Sequence, residues 1–192
     1  MSNIPFLAPI EYRCDDLIIR AYRPGDGAAL QRAVLASYEH LRPWMLWAKQ
    51  EQSLEESEAI CRRFVGRYYL GEEFTLGVWQ GDELVGGTGY HLRLGGFESG
   101  NAETGMWIAA AHAGQGLGTR VLKALLAWGF SEWPWQRIIW RCDTRNLASA
   151  RVAQKGGLRH EGTALSDAID ADGKRRNTHF FAILREEWDA TR

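Results

Sequence analysis

The sequence is poor in residues that could build disulfides or a metal site. Of its 192 residues only Cys14, Cys61 and Cys142 are cysteines, and no two of them form a C-x-x-C pair. Its five histidines include no H-E-x-x-H pattern. An odd number of widely spaced cysteines argues against a disulfide framework and is typical of a reducing compartment. We therefore expect a cytoplasmic protein that binds no metal ion.

The sequence also lacks an excess of charge and any long apolar run. Lys and Arg number 23 and Asp and Glu number 24, whereas a nucleic-acid-binding domain usually has a strongly basic surface. No apolar stretch reaches the roughly 18 residues needed to cross a membrane. The first residues have neither the basic start nor the apolar segment of a signal peptide. We expect neither a nucleic-acid partner nor a membrane partner.

Apolar residues, by contrast, are plentiful. They make up 45% of the chain, enough for a substantial core. The length favours a single domain spanning residues 1–192. Nine tryptophans are unusual, and we expect most of them in the core and some along a groove for an apolar ligand.

The pattern of apolar and turn residues predicts a mixed order of strands and helices. Strands are predicted at 17–20, 74–79, 84–92, 102–108, 137–142, 160–165 and 178–184, and helices at 26–36, 53–69, 119–130 and 146–155. Ser53 and Glu56 form a capping box at the start of the second helix. This order is not the regular alternation of a doubly wound sheet, so it predicts a mixed α/β layer.

The most informative segment is a glycine-rich loop between a predicted strand and a predicted helix, Ala113-Gly114-Gln115-Gly116-Leu117-Gly118-Thr119. Glycine allows close backbone approach, and successive N–H groups at a helix N-terminus bind anions. The loop therefore favours a pyrophosphate site, although a plain structural turn would give the same pattern. The glycine spacing fits neither G-x-x-x-x-G-K-[ST] nor a dinucleotide-binding fingerprint near a first strand.

Two further segments make the pattern more specific. The chain reads Glu103-Thr-Gly-Met-Trp-Ile108 before the loop and Asn146-Leu-Ala-Ser-Ala-Arg-Val-Ala-Gln-Lys-Gly-Gly-Leu158 after it. In this order the three segments resemble the GNAT superfamily, and within it the branch of ribosomal-protein N-terminal acetyltransferases. That branch shows E-I-G-Y-W-I, then Q-G-x-G-x-A-T-E-A, then N-x-x-S-x-R-V-x-x-K-x-G-F. The resemblance covers about residues 16–185.

The resemblance implies a fold and a co-substrate. The fold is α/β (α+β), with a twisted, mostly antiparallel sheet of about seven strands and helices on both faces. A splayed seam is expected between the strands at Ala102–Ile108 and Arg137–Cys142. Acetyl-CoA, as co-substrate, would lie with its pantetheine in this seam.

The resemblance also assigns residues to coenzyme A. The residues implied are Trp107 and Ile108 at the pantetheine and thioester, Gly114, Gln115, Gly116, Leu117, Gly118 and Thr119 at the pyrophosphate, and Asn146 and Ser149 near the sulfur. For Asn146 and Ser149 the alternative is ordinary helix capping. Ala113 departs from the Gln or Arg that usually opens the loop, which leaves open a non-catalytic acyl-CoA sensor or interaction module.

Glu103 and Ser149 are the predicted catalytic residues. By strand alternation Glu103, Gly105 and Trp107 share a face, and Glu103 is the first candidate for the base that receives the amine proton. The alternatives are a solvent-facing Glu103 and His91 as the base, because imidazole titrates in the right range. Ser149 would hydrogen-bond or protonate the leaving thiolate.

The implied reaction is direct acetyl transfer to a primary amine. No Cys–His or Ser–His–Asp set is apparent, so we expect attack through a tetrahedral intermediate without an acyl-enzyme. The acceptor implied is an N-terminal α-amine of a protein or peptide; a small-molecule amine, or succinyl transfer, is the alternative. The aromatic segment Trp44–Trp47 would form a wall of the acceptor pocket or part of the core. The sequence does not decide between monomer and homodimer.

Overall fold

Eight strands and six α-helices make up the computed structural model, which describes residues 6–170 and 172–190. The strands are β1 (Glu11–Cys14), β2 (Leu17–Ala21), β3 (Phe74–Gln80), β4 (Glu83–His91), β5 (Asn101–Ile108), β6 (Arg137–Asp143), β7 (Arg159–Ile169) and β8 (Arg175–Leu184). The helices are α1 (Gly27–Ala36), α2 (Tyr38–Leu41), α3 (Leu54–Tyr69), α4 (Leu117–Ser131), α5 (Leu147–Lys155) and α6 (Arg185–Asp189).

All eight strands belong to one open sheet. Their order is β1-β2-β3-β4-β5-β6-β8-β7. Every neighbouring pair is antiparallel except β5 and β6, which are parallel. A parallel pair needs a long crossover, and helix α4 supplies it here. The mostly antiparallel sheet expected from the sequence is confirmed, with eight strands in place of about seven.

The strand that the sequence analysis missed is β1. It pairs with β2 through a tight turn in which Asp15 has a φ of 53°. Its four residues are half-buried or exposed because it lies at the edge of the sheet. Such a strand has no strong alternation of apolar and polar residues, so periodicity did not reveal it.

Helices cover both faces of the sheet, as expected. Helix α4 buries Val121, Leu122 and Leu125 in the larger core together with residues of β2 to β6. On the other face a smaller core holds Val34 of α1 and Cys61 of α3. The predicted capping box of α3 is present, with its two hydrogen bonds of 3.1 and 2.8 Å.

Most of the tryptophans lie in the core, as expected. Trp128, Trp133 and Trp135 are almost fully buried, and the last two stack with ring centres 5.6 Å apart. Phe74 and Tyr90 pack against this group. The cluster fixes β3 and β4 against helix α4, and so it supports the strands that border the site described below.

The boundaries of α4, β7 and β8 differ by more than one residue from those predicted. Helix α4 begins at Leu117, two residues before the predicted start, because Gly116 takes the N-cap position with a left-handed φ of 82°. The hairpin β7–β8 extends past the predicted ends at Leu165 and Thr178. Most residues of β7 are exposed, so its outer half carries no burial pattern that a sequence could reveal.

Candidate active site

Strands β5 and β6 separate partway along their length. Their paired residues run from Asn101 opposite Arg137 to Thr104 opposite Trp140, and β5 continues unpaired on that side to Ile108. The splayed seam that the sequence predicted is therefore present and opens at Gly105. An extended ligand can take the place of the missing strand pairing in such a seam.

Backbone alternation shows which groups of β5 face the seam. The Ala109 N–H donates to the carbonyl oxygen of Val85 in β4 at 2.9 Å. The Gly100 carbonyl oxygen accepts hydrogen bonds from the N–H groups of Gln136 and Arg137, at the start of β6. Odd-numbered residues of β5 therefore point their backbone groups at β4 and even-numbered ones at β6. The backbone of Ile108 faces the open seam, as expected. Trp107, contrary to expectation, directs its backbone groups at β4.

Met106 takes the backbone position that the sequence analysis gave to Trp107. The register with β4 explains the difference. Alternation counted from that pairing directs the backbone groups of Met106, and not those of Trp107, towards the seam. The Trp107 side chain lies over Gly87, where a Cβ would clash with the indole nitrogen. Its ring also meets Trp47 edge-on at 6.0 Å. Trp107 thus contributes its side chain to the neighbouring cleft.

The glycine-rich loop ends at the N-terminus of helix α4, beside the seam. Gly114 and Gly116 have φ values of 75° and 82°, and a Cβ at either would meet no atom within 4 Å. Thr119 N–H and Arg120 N–H both donate to the Gly116 carbonyl. The amides before Thr119 are those that a helix leaves without an internal partner, and they favour an anion at this end.

The other residues of the loop contribute in different ways. Gln115 turns its side chain back and donates to the Ala111 carbonyl at 2.9 Å. Leu117 is buried in the core, so only its backbone faces the loop. Gly118 lies against helix α5, where a Cβ would come within 3.3 Å of Val152. Among the predicted pyrophosphate residues, the backbone of Gly114 to Gly118 is therefore the part that a ligand can approach, and Thr119 is half-buried.

Helix α5 brings Asn146 and Ser149 close to the seam. Asn146 is the N-cap, and its side chain accepts the Ser149 N–H at 3.0 Å, which confirms the helix-capping interpretation of Asn146. The Ser149 hydroxyl accepts the indole N–H of Trp140 at 3.0 Å. Its own hydrogen can therefore be donated into the cleft. Burial raises the pKa of the adjacent Cys142 thiol, so this cysteine is a poor nucleophile.

A cleft of about 680 Å³ adjoins the seam on the α1–α3 face of the sheet. One wall is aromatic and includes Trp44, Trp47 and Trp107, the first two of which are 38% and 47% exposed. The aromatic segment near Trp44 therefore lines the cleft and is not part of the core. Charged side chains such as Glu103 and Arg141 also line the cleft, as do Ser149 and Asn146.

Glu103 lies in this cleft, but its carboxylate is already paired. It is buried, and its two oxygens lie 2.7 Å from Arg93 and 3.5 Å from Arg141. Two residues that line the cleft each have a buried polar atom without a hydrogen-bond partner among the described residues. These atoms are Arg141 Nε and Thr178 Oγ1. Neither Arg93 nor Arg141 was predicted from the sequence to lie in the site. Alternation along β6 would have placed Arg141 on the face of Glu103.

His91, the second candidate base, has a carboxylate partner in the cleft. Its Nδ1 lies 2.6 Å from Oε1 of Glu73. No sequence pattern indicated Glu73, which precedes β3 by one residue.

Over residues 6–170 and 172–190, no group of three or more His, Cys, Asp or Glu side chains is arranged to hold a metal ion. No helix in the same residues is long and apolar enough to span a membrane.

Comparison with known proteins gives a family and a fold. Residues 16–159 match the family model described as Acetyltransferase (GNAT) domain. YdaF of Bacillus subtilis (strain 168), named as a candidate ribosomal N-acetyltransferase, is 24% identical over 178 residues, which cover 91% of this chain and 94% of YdaF.

Two solved structures share the fold. RimL, a ribosomal L7/L12 alpha-N-protein acetyltransferase in complex with coenzyme A, superimposes with a TM-score of 0.82 at 20% identity, covering 91% of this chain and 97% of RimL. The microcin C7 self-immunity acetyltransferase MccE, solved with acetyl-CoA and AMP, gives a TM-score of 0.81 at 15% identity, covering 89% of this chain and 93% of MccE.

Proposed function

The chain belongs to the GNAT acetyltransferase family, and on that premise we propose that it transfers an acetyl group from acetyl-CoA to the α-amine of a protein or peptide. The observation that carries the proposal is the seam that opens at Gly105 beside the glycine-rich loop. An acceptor cleft meets this seam at Ser149. RimL, which shares the fold, is itself an alpha-N-protein acetyltransferase.

The residues present fit coenzyme A. The amides at the start of α4 suit the pyrophosphate, which helix N-termini favour. Backbone groups of Met106 and Ile108 face the seam and can bond to pantetheine amides or to the thioester oxygen. The open space at Gly114 and Gly116 lets a ligand approach the backbone closely.

The reaction needs an uncharged amine, a path for its proton and help for the leaving thiolate. The amine nitrogen attacks the thioester carbonyl carbon, and the tetrahedral intermediate then expels the CoA thiolate. The Ser149 hydroxyl is placed to donate a hydrogen bond to this sulfur, because Trp140 already occupies one of its lone pairs. Glu103 and His91 are the candidates for the proton acceptor.

The type of amine decides how much the base must contribute. Deprotonating a lysine side chain at pH 7 costs roughly 4.6 kcal/mol, because its ordinary pKa is about 10.4. A peptide α-amine, with a pKa of about 7.7–8.0, costs only about 1 kcal/mol. The carboxylates that line the cleft are each paired with an arginine, so none is left as an unusually strong base, and this favours the α-amine.

Ligand-dependent melting tests the co-substrate. Acetyl-CoA at a hundredfold excess over its Kd is expected to raise the melting temperature by about 5–10 °C, because a ligand that binds only the native state stabilises it by about 2.7 kcal/mol. Free CoA should act similarly, and NAD and ATP should do less at equal concentration. A larger rise with NAD than with acetyl-CoA would contradict a coenzyme A site.

Thiol release tests the acceptor. A lysine-free peptide with a free N-terminal serine is expected to release CoA thiol from acetyl-CoA faster at pH 7 than the same peptide with a blocked N-terminus and one lysine. Release with small amines or succinyl-CoA but with neither peptide would contradict the protein acceptor and leave acyl transfer itself standing.

Replacing Ser149 by alanine is expected to lower kcat about tenfold, by removing one hydrogen bond of roughly 1–1.5 kcal/mol to the leaving sulfur. The loss should persist between pH 7 and pH 9, because ionisation of the amine does not help the thiolate to leave. Steady-state thiol release over this range measures it. Ser131→Ala, at the far end of α4, is the control for loss of a serine hydroxyl. A deficit that vanished at pH 9 would assign Ser149 to the amine side.

A further inference from the structure

Two side chains of the cleft form a hydrogen-bonded pair suited to proton transfer. His91 is the last residue of β4, and its Nδ1 lies 2.6 Å from Oε1 of Glu73. The two side chains are 19% and 18% exposed and both line the cleft. The other oxygen of Glu73 contacts Arg67. The hydrogen bond to His91, together with the charges of His91, Arg67 and Arg93, holds the pKa of the Glu73 carboxyl below its ordinary value.

The carboxylate determines which ring nitrogen of His91 carries the proton. Because ionised Glu73 only accepts hydrogen bonds, the nitrogen facing it must be Nδ1–H. In a neutral ring Nε2 then has the lone pair and can accept a proton. Oriented in this way by a carboxylate, a histidine has the arrangement of a general base.

The sheet places His91 beside open space in the cleft. His91 is paired with Glu103 across β4 and β5, and directly opposite residues point to the same face. Gly105 follows two residues later on β5, and a Cβ built there would meet no atom within 4 Å. The distance from His91 to Gly105 is that of a diagonal pair, about 7–8 Å between Cα atoms. An amine held over Gly105 is therefore within reach of the imidazole.

The carboxylate of Glu103, the base expected from the sequence, is already paired with two arginines. Its oxygens contact Arg93 at 2.7 Å and Arg141 at 3.5 Å, and the side chain is 7% exposed. Moving the carboxylate away would leave Arg93 without its 2.7 Å partner and Arg141 without its 3.5 Å partner. The geometry suits a carboxylate that holds the two arginines in place.

We propose that His91 is the general base of the acetyl transfer, that Glu73 orients its ring, and that Glu103 is a positioning residue for Arg93 and Arg141. This proposal rests on the proposed function. The amine nitrogen bonds to the carbonyl carbon, and its proton passes to Nε2 of His91. Collapse of the intermediate breaks the C–S bond, and the thiolate takes a proton from solvent. The imidazolium returns its proton to solvent, so the products are the amide and the CoA thiol.

The charges around His91 determine the pH dependence. Glu73 lies before β3, Arg67 comes from α3, Arg93 follows β4 and Glu103 faces it from β5. These are two carboxylates and two guanidinium groups, so their formal charges sum to zero. Among the described residues, Glu73 is the group that hydrogen-bonds to the His91 ring.

His91→Asn tests the base directly. The asparagine amide can donate to Glu73 in place of Nδ1 but cannot take a proton. With acetyl-CoA and the lysine-free peptide with a free N-terminal serine, kcat at pH 7 is expected to fall about a hundredfold. Much of the loss should be recovered by pH 9, where the α-amine is neutral, and the Kd for CoA should not change. His112→Asn is the matched control, because His112 also contacts a glutamate, with its Nε2 3.0 Å from Glu83, but lies outside the cleft. This variant should leave kcat unchanged.

Two glutamate variants separate the roles. Glu73→Gln keeps a hydrogen-bond acceptor but removes the charge, so the acidic limb of the kcat profile should move to lower pH. A merely structural role would lower the melting temperature and leave that limb in place. Glu103→Gln is expected to reduce kcat without moving the limb. If Glu103→Gln removed the acidic limb while His91→Asn kept it, Glu103 would be the base and the proposal would be overturned.

Nitrogen-15 NMR of the histidine rings distinguishes failure of the base from failure of the proposed function, because it does not depend on an acceptor. The wild-type protein should show His91 as the Nδ1–H tautomer, and Glu73→Gln should weaken this preference. An Nε2–H tautomer would overturn the proposal even in an active enzyme. Wild-type protein that binds acetyl-CoA but releases no thiol would contradict the proposed function itself, and with it the role of His91 as general base.

Discussion

Gly116→Val is expected to weaken acetyl-CoA binding by about 100- to 1000-fold. The N-cap residue Gly116 has a φ of 82°, and the space beside it is open. A β-branched side chain there blocks close approach of the pyrophosphate and disfavours the conformation that aims the amides of α4 at it. Losing two charge-assisted hydrogen bonds at the low end of their range, about 1.5–2 kcal/mol each, gives this loss of affinity. Isothermal titration with acetyl-CoA measures it.

Gly81→Val controls for backbone strain. Gly81 turns the β3–β4 hairpin with a φ of 57° and also has open space where a Cβ would be. Both variants should melt at lower temperature than wild type, but only Gly116→Val should lose affinity for acetyl-CoA. Equal affinity in the two variants would show that the loop does not hold the pyrophosphate.

Trp135→Ala is expected to lower the free energy of unfolding by about 3–5 kcal/mol, as large truncations of a buried aromatic do. Trp135 is fully buried, stacks on Trp133 and packs against Phe74, Tyr90 and Phe97. Its removal leaves a cavity under the strands that border the site. The melting temperature should fall by roughly 6–20 °C, which calorimetry or circular dichroism can follow.

Trp47→Ala is the matched comparison for that substitution. Trp47 is 47% exposed and lines the cleft, so its loss should change stability little and affect the acceptor's KM instead. If Trp47→Ala destabilised the protein as much as Trp135→Ala, the aromatic segment would belong to the core after all.

The frame of the site could be predicted from the sequence because its signals are local. A glycine-rich loop after a strand and before an amphipathic helix predicts an anion site on adjacent residues, and Gly114 and Gly116 do adopt the left-handed conformations that only glycine readily takes. The parting of β5 and β6 followed from the family resemblance, and its position near Gly105 agrees with the range expected.

The pairing of side chains could not be predicted in the same way. Arg141 is 38 residues from Glu103 in sequence, and Glu73 is 18 from His91. Whether an acidic strand residue is a free base or half of an ion pair depends on such distant partners. The same limit applied to Trp107, whose backbone direction depends on the register with β4 and not on the strand alone.

Intact-mass analysis of an acceptor peptide is the most direct test of acetyl transfer at this site. The peptide has a free N-terminal serine and no lysine, and it is incubated with acetyl-CoA and wild-type protein. We expect one acetyl group on the α-nitrogen, one CoA thiol released for each acetyl group, and a rate proportional to protein concentration. An unmodified peptide in the presence of protein that demonstrably binds acetyl-CoA would contradict the proposed function and favour a non-catalytic acyl-CoA sensor.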